Sequence, residues 1–461
     1  MTTQPGSLRA NCLNFWEVLA QSIAMLGPTM TPVLIVPLVF ASSGNAGWLA
    51  YIFGTVMLLF VALNLREFAR RSATAGSLYT YTQRAFGARG SMLAGVCLLW
   101  AYAFVCVAGL TGFAVFGRAL LGSAGDHVPN IVFSALCLGI GWYVSYVDIR
   151  ISTLTLLALE TASVSLIVIL TVLAFVHQGT VVDMHQLRLE GATLPAIGLG
   201  AVLAIFSLVG FESATSLGEE AHDPLRTIPA AVIWSVIISG AFFVLCVYSQ
   251  VLVTRGHVPA LDKLATPLDT IALISNVPWL RIPIDVGALF SSFSVALASL
   301  NAGARVLFTT GRSGLLPAQL GRSHDTHKSP YVALSAFAIL NLLVTWVLYL
   351  AGRSAVDAFG DTATLGSFGF IAIYFAIAAG APVYLHRTGE LRPSHVVVAA
   401  IAIACLLVPA YDSLYPPQPF PATWYPLYFA IYFIIGAGWL WSRSSRAEIV
   451  EADLSHAPVA D

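Results

Sequence analysis

Residues 15–41 read FWEVLAQSIAMLGPTMTPVLIVPLVFA. The stretch is apolar and long enough to cross a bilayer, yet Gly27-Pro28-Thr29-Met30-Thr31-Pro32 stands at its middle. A proline lacks the amide donor and clashes with the preceding helical turn, so this glycine and two prolines cannot continue a helix. In hydrocarbon the freed backbone groups need partners, so a broken helix persists only where it is buried in protein or lines a cavity. A discontinuous membrane helix therefore points to a solute site near the bilayer midplane. A second apolar stretch is interrupted at Gly210-Phe211-Glu212-Ser213. Two interrupted spans in one chain point to a secondary transporter.

The rest of the chain agrees with a membrane location. Of its 461 residues, 58% are hydrophobic and 10% charged, whereas soluble domains carry about 25% charged residues. The net charge of −1 gives no indication of a nucleic-acid partner, and none is expected. The six cysteines form no CxxC pair, and they read as small buried hydrophobes rather than metal ligands or disulfides. The ten histidines include no HExxH. No GxSxG elbow, phosphate loop or dinucleotide fingerprint occurs, so neither an enzyme nor a bound cofactor or metal is expected. The N-terminus has no basic n-region, and the first span is too long for a signal peptide, so it is expected to be retained.

A window of about 19 residues finds twelve apolar segments. Their approximate limits are 14–42, 45–69, 89–121, 129–147, 151–177, 196–218, 229–254, 283–311, 331–351, 356–385, 394–411 and 424–442. Residues 72–88 read as a short helix leading into the third span, and 266–278 as a short external one. With twelve spans both termini share a side, and 16 of the 22 Lys and Arg residues then fall on that side. The positive-inside rule places the tails, 1–13 and 443–461, in the cytoplasm of a cell (inner) membrane protein. The broken spans are the first and sixth. That separation fits a five-plus-five inverted repeat within a ten-helix core, 14–385, with halves 14–177 and 196–385. Helices eleven and twelve, 394–442, follow it. No residue-level repeat supports the division, which rests on topology.

Span six continues as Gly210-Phe211-Glu212-Ser213-Ala214, then Gly218-Glu219-Glu220-Ala221-His222-Asp223-Pro224-Leu225-Arg226-Thr227-Ile228-Pro229. This resembles the signature of amino acid–polyamine–organocation permeases. Two further stretches are similar to that family: Arg66-Glu67-Phe68-Ala69-Arg70 through Ala75-Gly76-Ser77-Leu78-Tyr79 to Ala85-Phe86-Gly87, and Arg305 through Gly311-Arg312-Ser313-Gly314-Leu315-Leu316-Pro317. The resemblance covers spans one to ten in order and spacing. It implies an all-α integral membrane protein with a leucine-transporter-type fold. The family commonly has Gly-Ser-Gly at the first break. Counting back from Pro37, that position is Met30-Thr31-Pro32 here. Pro32 has no amide for a substrate carboxylate. Either Gly27 and Thr29 shift the break by a turn, or the anionic group is held differently or is absent.

Gly27, Pro28, Thr29 and Thr31 are the first candidates for substrate binding, because a half-helix N-terminus offers free amides and partial positive charge. The competing reading is a proline kink that only bends a packing helix. By the family alignment Phe206 falls where an aromatic covers the substrate. Phe206 and Phe211 flank the second break at Gly210, although each also reads as ordinary helix packing. Glu212 lies about 24 Å along span six at 1.5 Å per residue. A carboxylate at that depth is costly unless paired or protonated. It reads as a proton carrier, a gate, an ammonium partner, or a structural acid capping the break. Glu160, near a position where proton-coupled relatives often carry lysine, is the second proton-coupling candidate; it could instead pair with span-one backbone or Asn301. Ser291, Ser292, Ser294 and Ser299 on span eight could coordinate sodium, although serines bonded to carbonyls one turn back are the commoner arrangement. Ser299 is carried forward as a substrate contact. Glu219, Glu220, Asp223 and Arg226 read as a solvated helix end, with a salt-bridged latch as the alternative.

The expectation is a permease for amino acids or related small amines, working by alternating access. Its coupling ion is expected to be H⁺, with Na⁺ second, in symport or exchange. A polyamine permease without carboxylate recognition and an integral-membrane enzyme are the rival readings. Membrane lipids are the only other partners expected, and oligomeric state is not legible.

Overall fold

A computed structural model describes residues 8–264, 267–415 and 420–441. The basic residues Arg443 and Arg446, and the ends of both tails, lie outside the described residues. Among the described residues every regular element is helical. In chain order they are α1 (Phe15–Leu26), α2 (Met30–Leu34), α3 (Val36–Ser43), α4 (Gly47–Ala69), α5 (Leu78–Leu121), α6 (Asn130–Val147), α7 (Ile149–Gln178) and α8 (Met184–Leu187). Then follow α9 (Leu194–Phe206), α10 (Pro224–Val253), α11 (Pro267–Ile274), α12 (Arg281–Arg312), α13 (Tyr331–Leu350), α14 (Ala355–Arg387), α15 (Pro393–Asp412) and α16 (Tyr425–Trp441).

Among the described residues ten helices are long and apolar enough to cross a membrane. The expected first and twelfth spans are not in that set. The first is divided among α1, α2 and α3, so it has no continuous run of sufficient length. The last, α16, covers 17 residues. The third expected span begins earlier than its apolar run, because α5 continues back to Leu78 across a kink at Gly87.

The interior is built around α5, whose main neighbours are α12 and α14. α4 packs on α10 and α9, and α7 packs on α12 and α1. Helices α6 and α13 turn large apolar side chains outward, including Leu136, Ile140, Trp346 and Val347. Such a surface suits a lipid solvent. By contrast, the inner faces of α1, α12 and the α9–α10 connection carry buried polar residues, among them Gln21, Ser22, Glu212, Ser213, Ser291, Asn301 and Arg305. In hydrocarbon these groups must satisfy one another, and Gln21, Ser22, Glu212 and Ser213 meet where α1 faces the α9–α10 connection.

Candidate functional site at two facing helix breaks

α1 starts at a capping box, in which Asn14 accepts from the Glu17 amide and Glu17 accepts from the Asn14 amide. It ends at Gly27, whose left-handed φ of 58° turns the chain out of the helix. The backbone becomes helical again at Met30. The break is therefore Gly27-Pro28-Thr29, one turn before the Met30-Thr31-Pro32 position obtained by counting from Pro37. Pro32 falls in the first turn of α2, where an amide would have no helical partner anyway. Thr29 N and Met30 N both donate to Ser291 Oγ of α12, at 3.2 and 3.4 Å. Thr31 Oγ1 donates to Leu26 O at 3.0 Å, and Thr29 Oγ1 is buried without a partner.

The second break begins where α9 stops at Phe206. Gly210 adopts φ 98°, and residues Phe211–Leu217 continue as a 3₁₀ helix. The two breaks are stitched together. Ser22 Oγ donates to Phe211 O at 2.6 Å and accepts from Ala214 N at 3.0 Å. Ser213 Oγ donates to Gln21 O at 3.0 Å. Met25 lies directly against Gly210, where an added Cβ would come within 2.4 Å of Met25 Cγ.

Glu212 is fully buried at this junction. Tyr102 of α5 donates its hydroxyl to Glu212 Oε1 at 2.9 Å, and Tyr374 of α14 donates to Oε2. Gly210 N in turn donates to Tyr374 Oη at 3.0 Å. The carboxylate thus ties two helices, α5 and α14, to the break, and each of its oxygens has a donor. Phe211 is buried against the Tyr374 ring, with centroids 5.2 Å apart.

One end of the junction is closed. Glu220 and Arg305 form a buried two-pronged ion pair, with both N–O distances 2.9 Å. Burial raises the Glu220 carboxyl above its ordinary value, and the facing guanidinium opposes that rise. The amides of Cys12 and Leu13 donate to Glu220 O, and His222 N donates to Leu13 O. Ser77 of the chain entering α5 pairs with Thr215, and Tyr79 with Ser313 at 3.1 Å. Glu220 is thus buried and ion-paired, while Asp223 and Arg226 are exposed as a solvated helix end should be.

The other candidates separate. Glu160 of α7 is buried; Ser163 Oγ lies 3.5 Å from its Oε2, Ser294 of α12 faces the same carboxyl, and Oε1 has no hydrogen bond of good geometry. Asn301, the alternative partner for Glu160, instead donates to Ser152 Oγ at 2.8 Å. Ser299 Oγ donates to Val295 O at 2.7 Å and to Met25 Sδ at 3.1 Å, so it touches the junction through Met25. Phe206 is the last residue of α9, next to the second break. It lines a separate cavity of about 330 Å³ with Leu203, Phe368 of α14 and Asp412 of α15. Tyr102 and Tyr374, which hold Glu212, escaped the sequence reading. Neither is the only tyrosine of its helix, and no spacing marks it.

The sequence profile of a family described as amino acid permease matches residues 13–438. The branched-chain amino acid permease BcaP of Bacillus subtilis (strain 168) is 24% identical over 66% of this chain and 68% of its own length. The low-affinity putrescine importer PlaP of Escherichia coli (strain K12) is 26% identical over 64% of this chain and 66% of its own. The gamma-aminobutyric acid permease of the same organism is 25% identical, covering 66% and 67%. Among solved structures, a mutant of the Eremococcus coleocola manganese transporter superposes with a TM-score of 0.60 at 11% identity, covering 95% of each chain.

Proposed function

Because the chain belongs to the amino acid permease family, and is therefore a transporter and not an enzyme, we propose that it carries amino acids or closely related amines by alternating access. The family resemblance read from the three sequence stretches is borne out by that profile match. The observation that carries the substrate reading is the Ser291 contact at the first break. Two amides, Thr29 N and Met30 N, share one hydroxyl at 3.2 and 3.4 Å, toward the long end of hydrogen-bond geometry. A carboxylate replaces a shared hydroxyl readily, because charge-assisted bonds are shorter and stronger. The substrate then lies between the Gly27 and Gly210 breaks, displacing Met25. An ammonium-only polyamine substrate is the second reading, and it is less well served, since both Glu212 oxygens already accept from tyrosines.

In this proposal the chain has twelve spans in a five-plus-five inverted repeat, lies in the inner membrane, and has both tails in the cytoplasm. The Glu220–Arg305 pair then closes the cytoplasmic end. A single cysteine placed at position 2 or 460 should resist impermeant thiol reagents in intact cells; labelling at either end contradicts this orientation.

Coupling follows from the two buried acids. Both Glu212 oxygens already accept a tyrosine hydroxyl, an arrangement suited to a carboxylate, whereas Glu160 Oε1 is unpartnered. Glu160 is therefore the proton carrier in this reading. Uptake should rise as external pH falls, and Glu160→Gln should flatten that dependence. A Glu160→Gln variant with the parent's pH profile would reject the assignment, and sodium-dependent, pH-insensitive uptake would return the coupling site to the span-eight serines.

A thermal-shift screen of the purified protein against amino acids, amines and polyamines tests the substrate class. A ligand at 100 times its Kd stabilises by about 2.7 kcal/mol. Stabilisation by α-amino acids, lost on their esterification, supports the carboxylate reading. Stabilisation by putrescine alone overturns it.

A further inference from the structure

A groove of about 330 Å³ opens on the outer wall of the helix bundle between α1, α7 and α10. Trp16, Thr161, Ser165 and Ile238 form its exposed rim. Leu157 and Phe242 supply apolar wall. Its other lining atoms are not what a lipid chain would select. The carboxyl of Glu160 lines the groove, and Glu160 Oε1 has no hydrogen-bond partner; the residue is 4% exposed. Ser239 of α10, 2% exposed, also lines it, with its hydroxyl unpartnered. No basic residue lines the groove.

An acid in an apolar wall at membrane depth is costly without a partner, and two unpartnered buried polar groups in one cavity need an explanation. The residues supply an acceptor and a hydroxyl, a pair that an ammonium group completes whenever Glu160 is ionised. The rim lies among side chains that face lipid, so the ligand that reaches it must be soluble in hydrocarbon. The volume lies at the small end of ligand sites, about 300–1,000 Å³. We propose that this groove is a membrane-side binding site for a hydrophobic primary amine, whose ammonium pairs with Glu160 and Ser239 while its short tail lies against Leu157 and Phe242. The groove touches the first break at Pro28 but opens on the lipid-facing wall, and Glu212 does not line it. It stands on the groove's geometry, whether or not Glu160 carries the coupling proton.

The test needs no transport. The full chain is placed in phosphatidylcholine nanodiscs, and its thermal unfolding is followed with octylamine, octan-1-ol and butylamine. Octylamine should raise the midpoint in a saturable way. Octan-1-ol lacks the charge and butylamine lacks the tail, so neither should do so at equal concentration. Glu160→Gln should weaken the octylamine effect at least about tenfold, the loss expected for one charge-assisted hydrogen bond. Ser165→Phe, a rim substitution that leaves Glu160 in place, should abolish it and guards against misfolding of the first variant. Equal stabilisation by octan-1-ol would assign the groove to acyl chains and overturn the amine site. An octylamine shift that survives Ser165→Phe, or no shift in the parent protein, would also overturn it.

Discussion

Arg305→Ala is expected to destabilise the protein by about 3–5 kcal/mol, because it strands a buried carboxylate. Glu220 and Arg305 are 1% and 3% exposed at their side chains, and each carboxylate oxygen meets a guanidinium nitrogen at 2.9 Å. Arg305 also donates to Asn301 O at 3.0 Å. Removing both charges is a different experiment. In Glu220→Leu/Arg305→Met neither an ion nor an unpaired polar group is left buried, and replacement of a buried ion pair by apolar residues is often neutral for folding. The double variant should therefore recover most of the lost stability while leaving the closed end unlatched. Its thermal midpoint should approach the parent's, and cysteines placed beside Thr215 should label faster than in the parent. If Arg305→Ala unfolds at the parent's midpoint, the pair is not the latch described here.

Gly210→Val is expected to abolish transport. A β-branched residue at φ 98° is strained by itself, and the new Cβ would collide with Met25 at 2.4 Å. Overpacking of this kind costs about 1–3 kcal/mol beyond the backbone strain. The damage falls where the two breaks meet and where Gly210 N reaches Tyr374. Gly210→Ala combined with Met25→Ala separates the two causes. Shortening Met25 removes the collision and leaves only the strain of a left-handed alanine. Partial recovery of uptake in that pair, over Gly210→Ala alone, is the expected result. No recovery would mean that the left-handed backbone, and not Met25, governs the junction.

Both breaks were legible because proline and glycine declare themselves locally. A missing amide or a left-handed φ acts within one turn. Register was less legible. Pro32 looks like a breaker, yet at the start of α2 it removes an amide that no helical carbonyl awaited. Long-range polar pairing left no trace in spacing. Tyr102 and Tyr374 reach Glu212 across 110 and 162 residues, and Arg305 reaches Glu220 across 85. Helical periodicity reports which face is apolar, not which buried donor meets which acceptor. Glu220 was therefore read with its exposed neighbours, and Ser291 with the sodium candidates, although it caps the first break. The family resemblance sets Phe206 over the substrate, and in the structure it lines a cavity with Phe368 of α14 and Asp412 of α15.

The central claim is carriage of an amino acid or small amine through the two breaks, driven by protons. It is tested most directly by uptake of radiolabelled amino acids and amines into proteoliposomes under an imposed inward proton gradient. The account predicts accumulation of at least one α-amino acid that collapses when the gradient is dissipated, and its loss in Gly210→Val. Uptake of none of them, or accumulation driven by sodium and indifferent to the proton gradient, would contradict it.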